Sequence, residues 1–113
     1  SMGRVLLAQL PEPELSAFLD RVRLEQFTAS SVTDKSALRE AIDKARNQGY
    51  AIVDQELDLG LRSVAVPVFS GGGELLGALN ISTNAARVDM ETLIDVYLPR
   101  LRAAAEKVRR SAR

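Results

Sequence analysis

Three uncharged polar residues, Ser63, Asn80 and Ser82, could form a binding site for a small polar ligand. They occur in two apolar runs, 61–69 and 75–83, whose alternating pattern predicts two β-strands. Side chains alternate between the two faces of a strand, so all three polar groups fall on one face of the predicted sheet. Hydroxyl and amide groups donate and accept hydrogen bonds without carrying charge, which suits them to orienting a ligand.

This polar face has two interpretations. Small residues, Ala65 and Ala78, lie between the polar groups, whereas a solvated strand face usually carries Lys, Glu or Thr. The pattern suits the wall of a ligand pocket, and it also suits the solvent-exposed side of an antiparallel sheet. The opposite, apolar face carries branched side chains on which helices are expected to pack: Val64, Val66, Val68, Leu79 and Ile81.

Residues 70–73 connect the two predicted strands and include three consecutive glycines. Four residues of this composition are typical of a β-hairpin, and that length places Phe69 opposite Glu74 and Ser63 opposite Asn80. The glycines could instead suggest a phosphate-binding loop. They join two strands, however, and no Lys-Ser or Lys-Thr follows, so the hairpin is the prediction.

Three carboxylates, Asp54, Glu56 and Asp58, stand at alternate positions before the hairpin. They could bind a divalent cation, but the loop lacks the length and pattern of an EF-hand. The alternative is a solvated loop in which one carboxylate pairs with an arginine. Arg62 is the expected partner of Glu56, since a bidentate pair would fix the loop around Gly60.

The composition argues against most catalytic chemistry. The 113 residues include neither histidine nor cysteine, which removes the usual general base, the common nucleophile pairs and the usual zinc ligands. Catalysis would depend on the three carboxylates or a lysine, and no two carboxylates have a convincing acid–base spacing. We therefore expect no catalytic residues, no metal and no cofactor, and regard an enzyme as the weakest alternative.

The charge balance and hydropathy predict one globular domain. Fifteen basic and fifteen acidic residues cancel, and 46% of the residues are hydrophobic. No apolar run could span a bilayer and nothing resembles a signal peptide, so a cytoplasmic protein without a membrane partner is expected. The basic residues of 107–113 suit the negative end of a helix dipole, the alternative being a nucleic-acid contact.

Apolar periodicity predicts an α+β fold. The predicted elements are helices over 4–9 and 14–22, a helix from the cap at Thr33 and Asp34 to Gly49, a strand over 50–53, the two hairpin strands and a C-terminal helix. That last helix is expected to be capped by Asp89 and to kink at Pro99, which lacks a backbone N–H. Three antiparallel strands with helices on the apolar face make the predicted sheet.

Several segments, taken in order and spacing, resemble the C-terminal effector-binding domain of the IclR family of bacterial transcriptional regulators. They are GRVLLA at 3–8, Thr33 and Asp34, RNQGYA at 46–51, DQELDLGLR at 54–62, AVPV at 65–68, ALNIS at 78–82, and Arg87. The sequence from Val53 to Ser63 is most similar to that of the subgroup that senses protocatechuate, β-ketoadipate or hydroxybenzoate-type acids.

The resemblance implies a GAF-like antiparallel sheet flanked by helices, in a domain of about 170 residues. Residues 3–113 would then be its C-terminal part, truncated at the N-terminus, and residues 1–2 are interpreted as an expression-tag remnant. Effector contacts are implied at five positions: Val53, Asp54, Ser63, Asn80 and Ser82. Some members carry an acid at the position of Val53 and a cysteine at that of Ser63. Glu56, Gly60 and Arg62 are implied to be structural.

The favoured hypothesis is therefore a small-molecule-sensing domain of a transcriptional regulator. Its implied partner is a small carboxylated aromatic or β-ketoadipate-like effector. DNA would be bound only through a winged helix-turn-helix domain outside these 113 residues. A homo-oligomer, dimer or tetramer, is expected, associating through an edge strand that an incomplete sheet exposes or through helices. The alternative is a generic GAF-like sensory or oligomerisation domain.

Overall fold

The computed structural model describes residues 1–24, 31, 34–56 and 58–112. Its elements are α1 (Met2–Leu7), α2 (Glu12–Arg21), α3 (Lys35–Gln48), β1 (Ala51–Asp54), β2 (Leu61–Phe69), β3 (Leu75–Asn84), α4 (Met90–Thr92), a π-helical turn (Leu93–Tyr97) and α5 (Leu98–Ser111). This order confirms the predicted succession of three helices, three strands and a C-terminal helix. Within the described ranges, no helix is both long enough and apolar enough to cross a membrane.

The ends of α3 follow from its local sequence. The Asp34 carboxylate accepts a hydrogen bond from the Ser36 N–H at 3.0 Å, which supplies the N-cap. Gly49 ends the helix with φ +82°, a conformation that glycine adopts without a steric penalty. Thr33, the other residue of the predicted cap, lies outside the described residues.

The strands form one antiparallel sheet in the order β1-β2-β3. Ser63 pairs with Ser82 and Ala65 with Asn80, so the predicted register is wrong by two positions. Because side chains alternate with a period of two, this even shift leaves the predicted faces of Ser63, Asn80, Ser82, Leu79 and Ile81 unchanged. Leu75, expected on the apolar face with Leu79 and Ile81, pairs with Phe69 beyond a register irregularity and lies on the opposite face.

The hairpin turn explains the register shift. The Ser70 N–H donates to the Glu74 carbonyl at 2.8 Å, and the Glu74 N–H donates to the Ser70 hydroxyl at 3.1 Å. The turn is therefore three residues long, 71–73, rather than four. A register irregularity between Val68 and Phe69 adds the second position of the shift.

Helices cover both faces of the sheet. We use "C-terminal helix" for the continuous segment of α4, the π-helical turn and α5. It packs on the apolar face, where Leu93, Leu98 and Leu101 join Val64 and Val66 of β2 in one buried cluster. On the other face, α1 and α3 pack against Ala51 and Ala65. The prediction placed helices on the apolar face alone and is therefore incomplete. Ala51 and Ala65 have small side chains, which let α1 and α3 approach this second face closely.

A π-helical turn stands where the kink was expected. The Leu98 N–H donates to the Leu93 carbonyl, five residues earlier, just before Pro99. This turn brings Leu93 and Leu98 to the same side, and both are buried. The predicted cap is confirmed, because the Asp89 carboxylate accepts a hydrogen bond from the Thr92 N–H at 2.8 Å. That hydrogen bond lowers the pKa of Asp89.

Candidate ligand-binding face

The polar face brings four of the five implied contact residues together. Val53 of β1, Ser63 of β2 and Ser82 of β3 form one row across the sheet. Asn80 lies one row further along β3, and its amide Nδ2 donates to the Ser82 hydroxyl at 3.0 Å. The three strands therefore present two hydroxyls, one amide and one apolar side chain on the same surface.

The N-terminus of α1 covers part of this polar face. The Ser63 hydroxyl donates to the Ser1 hydroxyl at 3.1 Å, and the Ser1 hydroxyl donates to the Asn80 side-chain oxygen. Ser63 is consequently only 6% exposed. Burial lowers the pKa of the Ser1 amino group, with a smaller contribution from the Arg4 charge. One hydroxyl group can thus contact Ser63 and Asn80 at the same time.

The fifth implied contact residue, Asp54, lies on the other face of the sheet. It pairs with Arg62 in the strand register, and the Arg62 Nε donates to the Asp54 carboxylate at 2.9 Å. A second Arg62 nitrogen donates to the Val88 carbonyl at 2.7 Å. The Asp54 carboxylate is therefore directed away from Ser63, because neighbouring residues on a strand point to opposite faces.

Glu56 pairs with Arg4, so the predicted Glu56–Arg62 pair is wrong. Two Arg4 nitrogens contact the two carboxylate oxygens of Glu56, one of them at 2.9 Å. The two side chains are 14% and 15% exposed, so the pair is largely shielded from water. The prediction failed because Arg4 lies 52 residues away from Glu56 in the sequence. Local spacing favoured Arg62, which instead lies beside Asp54.

The loop carboxylates diverge rather than converge. Asp54 and Glu56 belong to separate ion pairs, with Arg62 and Arg4. In the part of the chain that the structure describes, no three acidic side chains are grouped closely enough to hold a metal ion. These two carboxylates instead anchor the ends of β1 to β2 and to α1.

Comparison with known proteins identifies the family. Residues 1–110 match the family model for the C-terminal domain of the bacterial transcriptional regulator IclR. The chain belongs to the IclR family. It is 43% identical over 104 residues to the Pca regulon regulatory protein of Pseudomonas putida, covering 92% of this chain and 36% of that protein. The chain thus spans only about a third of the length of this relative.

Two solved structures of proteins named as transcription factors or transcriptional regulators are closely similar. A Rhodococcus sp. RHA1 protein named as a transcriptional regulator superimposes with a TM-score of 0.93 at 42% identity, covering 97% of this chain and 45% of that one. The inducer-binding domain of PobR from Acinetobacter, a double mutant in complex with 3-hydroxybenzoic acid, gives 0.90 at 33% identity, covering 96% and 64%. Together with the Thermotoga maritima IclR structure, which gives a TM-score of 0.86 at 32% identity and covers 98% of this chain and 44% of that one, they confirm the α+β, GAF-like fold.

Sequence reasoning missed the contribution of α1 to this face. Ser1 and Arg4 reach residues more than 50 positions away, and no local pattern signals either contact. The only available signal was the resemblance, which includes Arg4 in the segment 3–8 without giving it a role.

Proposed function

We propose that this IclR-family domain senses a small aromatic-pathway carboxylic acid on its polar face. The observation that supports this most directly is the set of hydrogen-bonding groups beneath α1: Ser63 and Asn80 share the hydroxyl of Ser1, a residue interpreted above as a tag remnant, whose hydroxyl occupies a position that a ligand hydroxyl could take. A hydroxylated aromatic acid offers such a hydroxyl together with a flat ring. Small, orienting polar groups beside apolar surface are the usual composition of a ligand pocket.

The proposed contact set is Val53, Ser63, Asn80 and Ser82. Val53 supplies apolar surface in the same row as Ser63, and the remaining residues supply donors and acceptors. Asp54 is left out because its carboxylate lies on the opposite face with Arg62. The PobR domain named with 3-hydroxybenzoic acid and the Pca regulon relative support an aromatic-pathway effector.

Sensing requires that another part of the full-length protein respond when the effector binds. Effector binding would change DNA affinity through a winged helix-turn-helix domain of the full-length protein, since a ligand shifts whichever conformation it binds more tightly. The domain itself would be a binding module rather than an enzyme, consistent with its relatives being transcriptional regulators. The full-length protein is further proposed to be a cytoplasmic homo-oligomer.

Calorimetric titration of the full-length protein tests the effector and the site together. The titrants are 3-hydroxybenzoate, 4-hydroxybenzoate, protocatechuate and β-ketoadipate. Asn80→Ala is expected to weaken the binding of the recognised acid about tenfold, because one hydrogen bond to a polar group is lost. Ser63→Ala should act in the same direction.

Asn47→Ala is the matched control, since Asn47 is an exposed asparagine on α3. Equal binding by Asn80→Ala, Ser63→Ala and Asn47→Ala would place the effector elsewhere. Absence of binding by all four acids would contradict the proposed effector class. Fluorescence anisotropy with operator DNA, with and without the recognised acid, then measures the coupling.

A further inference from the structure

A second concave site lies at the outer edge of β1, separate from Ser63, Asn80 and Ser82 on the neighbouring strands. Its cavity has a volume of about 360 Å³ and is bounded by α1, α3, β1 and the beginning of the C-terminal helix. That volume is within the range of small-molecule sites, roughly 300–1,000 Å³. The residues that determine its chemistry are Ala41, Lys44, Gln48, Ile52, Met90 and Ile94.

Side chains already occupy the hydrogen-bonding edge of β1 at this cavity. The Gln48 amide donates to the Tyr50 carbonyl at 2.9 Å, and Arg4 donates to the Ile52 carbonyl at 3.4 Å. An added strand would have to displace both donors before it could pair with β1. The cavity is therefore poorly suited to strand addition, and a small molecule fits it better.

The walls combine apolar surface with one uncompensated positive charge. Ile52, Met90 and Ile94 supply the apolar surface. Lys44 is exposed and makes no salt bridge to any residue that the structure describes. The charge of Arg4, which also lines the cavity, is already paired with Glu56. Among the described residues that line the cavity, the one charge without a salt-bridge partner is thus positive, and it lies beside a hydrocarbon surface.

We propose that this cavity is a second ligand site, which binds a small amphipathic carboxylate through Lys44 and the apolar walls. The carboxylate would pair with the Lys44 ammonium, and the apolar body would contact Ile52 and Ile94. Such a ligand touches α3, β1 and the π-helical turn at once. The proposal stands independently of the sensing role of the polar face.

Methyl NMR of the full-length protein, labelled at the isoleucine δ1 positions, tests this site with benzoate as the probe. Ile52 and Ile94 line the cavity, whereas Ile42 and Ile81 do not, so the same spectrum contains reporters and controls. Benzoate should shift the Ile52 and Ile94 signals saturably. Benzamide, which has the same ring without the charge, should shift them less at equal concentration.

Two pairs of variants test the contribution of the Lys44 charge and that of the cavity volume separately. Lys44→Gln should weaken benzoate binding about two- to fivefold, as expected for a partly exposed ion pair. Lys107→Gln, at an exposed lysine on α5, should leave it unchanged. Ala41→Leu should fill the cavity and abolish the Ile94 shift, whereas Ala37→Leu, on the exposed side of α3, should not.

Several results would overturn the proposal. They are a benzoate response confined to Ile81, equal responses to benzoate and benzamide, and equal affinities in Lys44→Gln and Lys107→Gln. Ile52 and Ile94 signals that move with protein concentration alone would also overturn it, because a second copy of the chain would then occupy the cavity. In the absence of benzoate, an unchanged signal of Ile81, which lies on β3 and not on a substituted element, verifies that each variant is folded.

Discussion

Arg62 connects three parts of the molecule through a single side chain. It extends from β2 to Asp54 at the end of β1 and to the Val88 carbonyl just before the C-terminal helix. Its side chain is only 13% exposed, so the carbonyl and the carboxylate that it contacts would lose their main donor if it were removed. An unsatisfied polar group in such a position costs more than the hydrogen bond itself contributes.

Arg62→Met should therefore lower the free energy of unfolding by about 2 kcal/mol, measured by urea denaturation. Met keeps much of the apolar stem while removing both donors. Arg87→Met is the control, because Arg87 is exposed and makes no side-chain hydrogen bond or salt bridge within the described ranges. Equal unfolding midpoints for the two variants would show that the Arg62 contacts contribute nothing measurable.

For single residues, the sequence predicts which face of the sheet a side chain occupies but not which distant residue it contacts. Alternation alone assigns Ser63, Asn80 and Ser82 to one face, because that assignment survives any even error in register. The partner of Glu56 could not be read in the same way. Arg4 reaches it only because α1 folds back over the sheet, which is a property of the whole fold.

The elements owe their ends to local chemistry, and Gly49 is the clearest case. It follows α3 with φ +82°, and a Cβ built there would meet only an Arg102 nitrogen, at 4.0 Å. Substitution would consequently meet no clash, and its cost would come from the backbone alone.

Gly49→Ala should lower the free energy of unfolding by about 1 kcal/mol, and Gly49→Asn by less, in thermal or urea unfolding. Gly3→Ala is the control, and its expected change in the free energy of unfolding has the opposite sign. Gly3 lies inside α1 with open space around its Cα, so alanine there should raise stability by about 0.5–1 kcal/mol. A stabilising Gly49→Ala would contradict the left-handed conformation.

Asp89, at the start of the C-terminal helix, makes stability depend on pH. The hydrogen bond from the Thr92 N–H lowers its pKa in the folded protein below the ordinary value of 3.8. Its carboxylate therefore stabilises the fold at pH values above 3.8, and that contribution is lost as the pH falls through the folded pKa.

The stability difference between the wild-type protein and Asp89→Asn should shrink as the pH is lowered from neutrality to below 3.8. Asparagine keeps a capping oxygen without the charge, so the protonated wild-type protein comes to resemble the variant. Urea unfolding at a series of pH values measures this difference. A difference that stays constant with pH would exclude a titrating cap.

Element boundaries were predictable because caps and turn residues act locally. The π-helical turn was not, since an α-helical pattern also accounts for the apolar residues around Pro99. Leu93 and Leu98, five residues apart, both belong to the predicted apolar face of this helix and are both buried, so their burial was predictable whereas the π-helical hydrogen bond between them was not. The hairpin register was wrong for a comparable reason, because the Ser70 contacts to Glu74 tighten the turn.

The whole molecule is a sheet between two helical layers with two different edges. The edge of β1 is closed by Gln48 and Arg4. The outer edge of β3 has no strand beside it among the described residues. Leu76 lies on that strand, unpaired at the register irregularity and 51% exposed. Composition and alternation predicted the α+β class, but the difference between the edges depends on side chains from α1 and α3.

We therefore expect the 113-residue chain to self-associate through β3, since an unprotected edge strand pairs readily with another chain. Leu76→Lys should weaken association about tenfold or more, because burying a leucine contributes about 1.5–3 kcal/mol and a buried lysine opposes pairing. Leu59→Lys is the matched control, as Leu59 is 66% exposed in the loop before β2. Sedimentation velocity over a range of concentrations measures the dissociation constant. A chain that stays monomeric throughout, or two variants that associate equally, would show that β3 is not the contact edge.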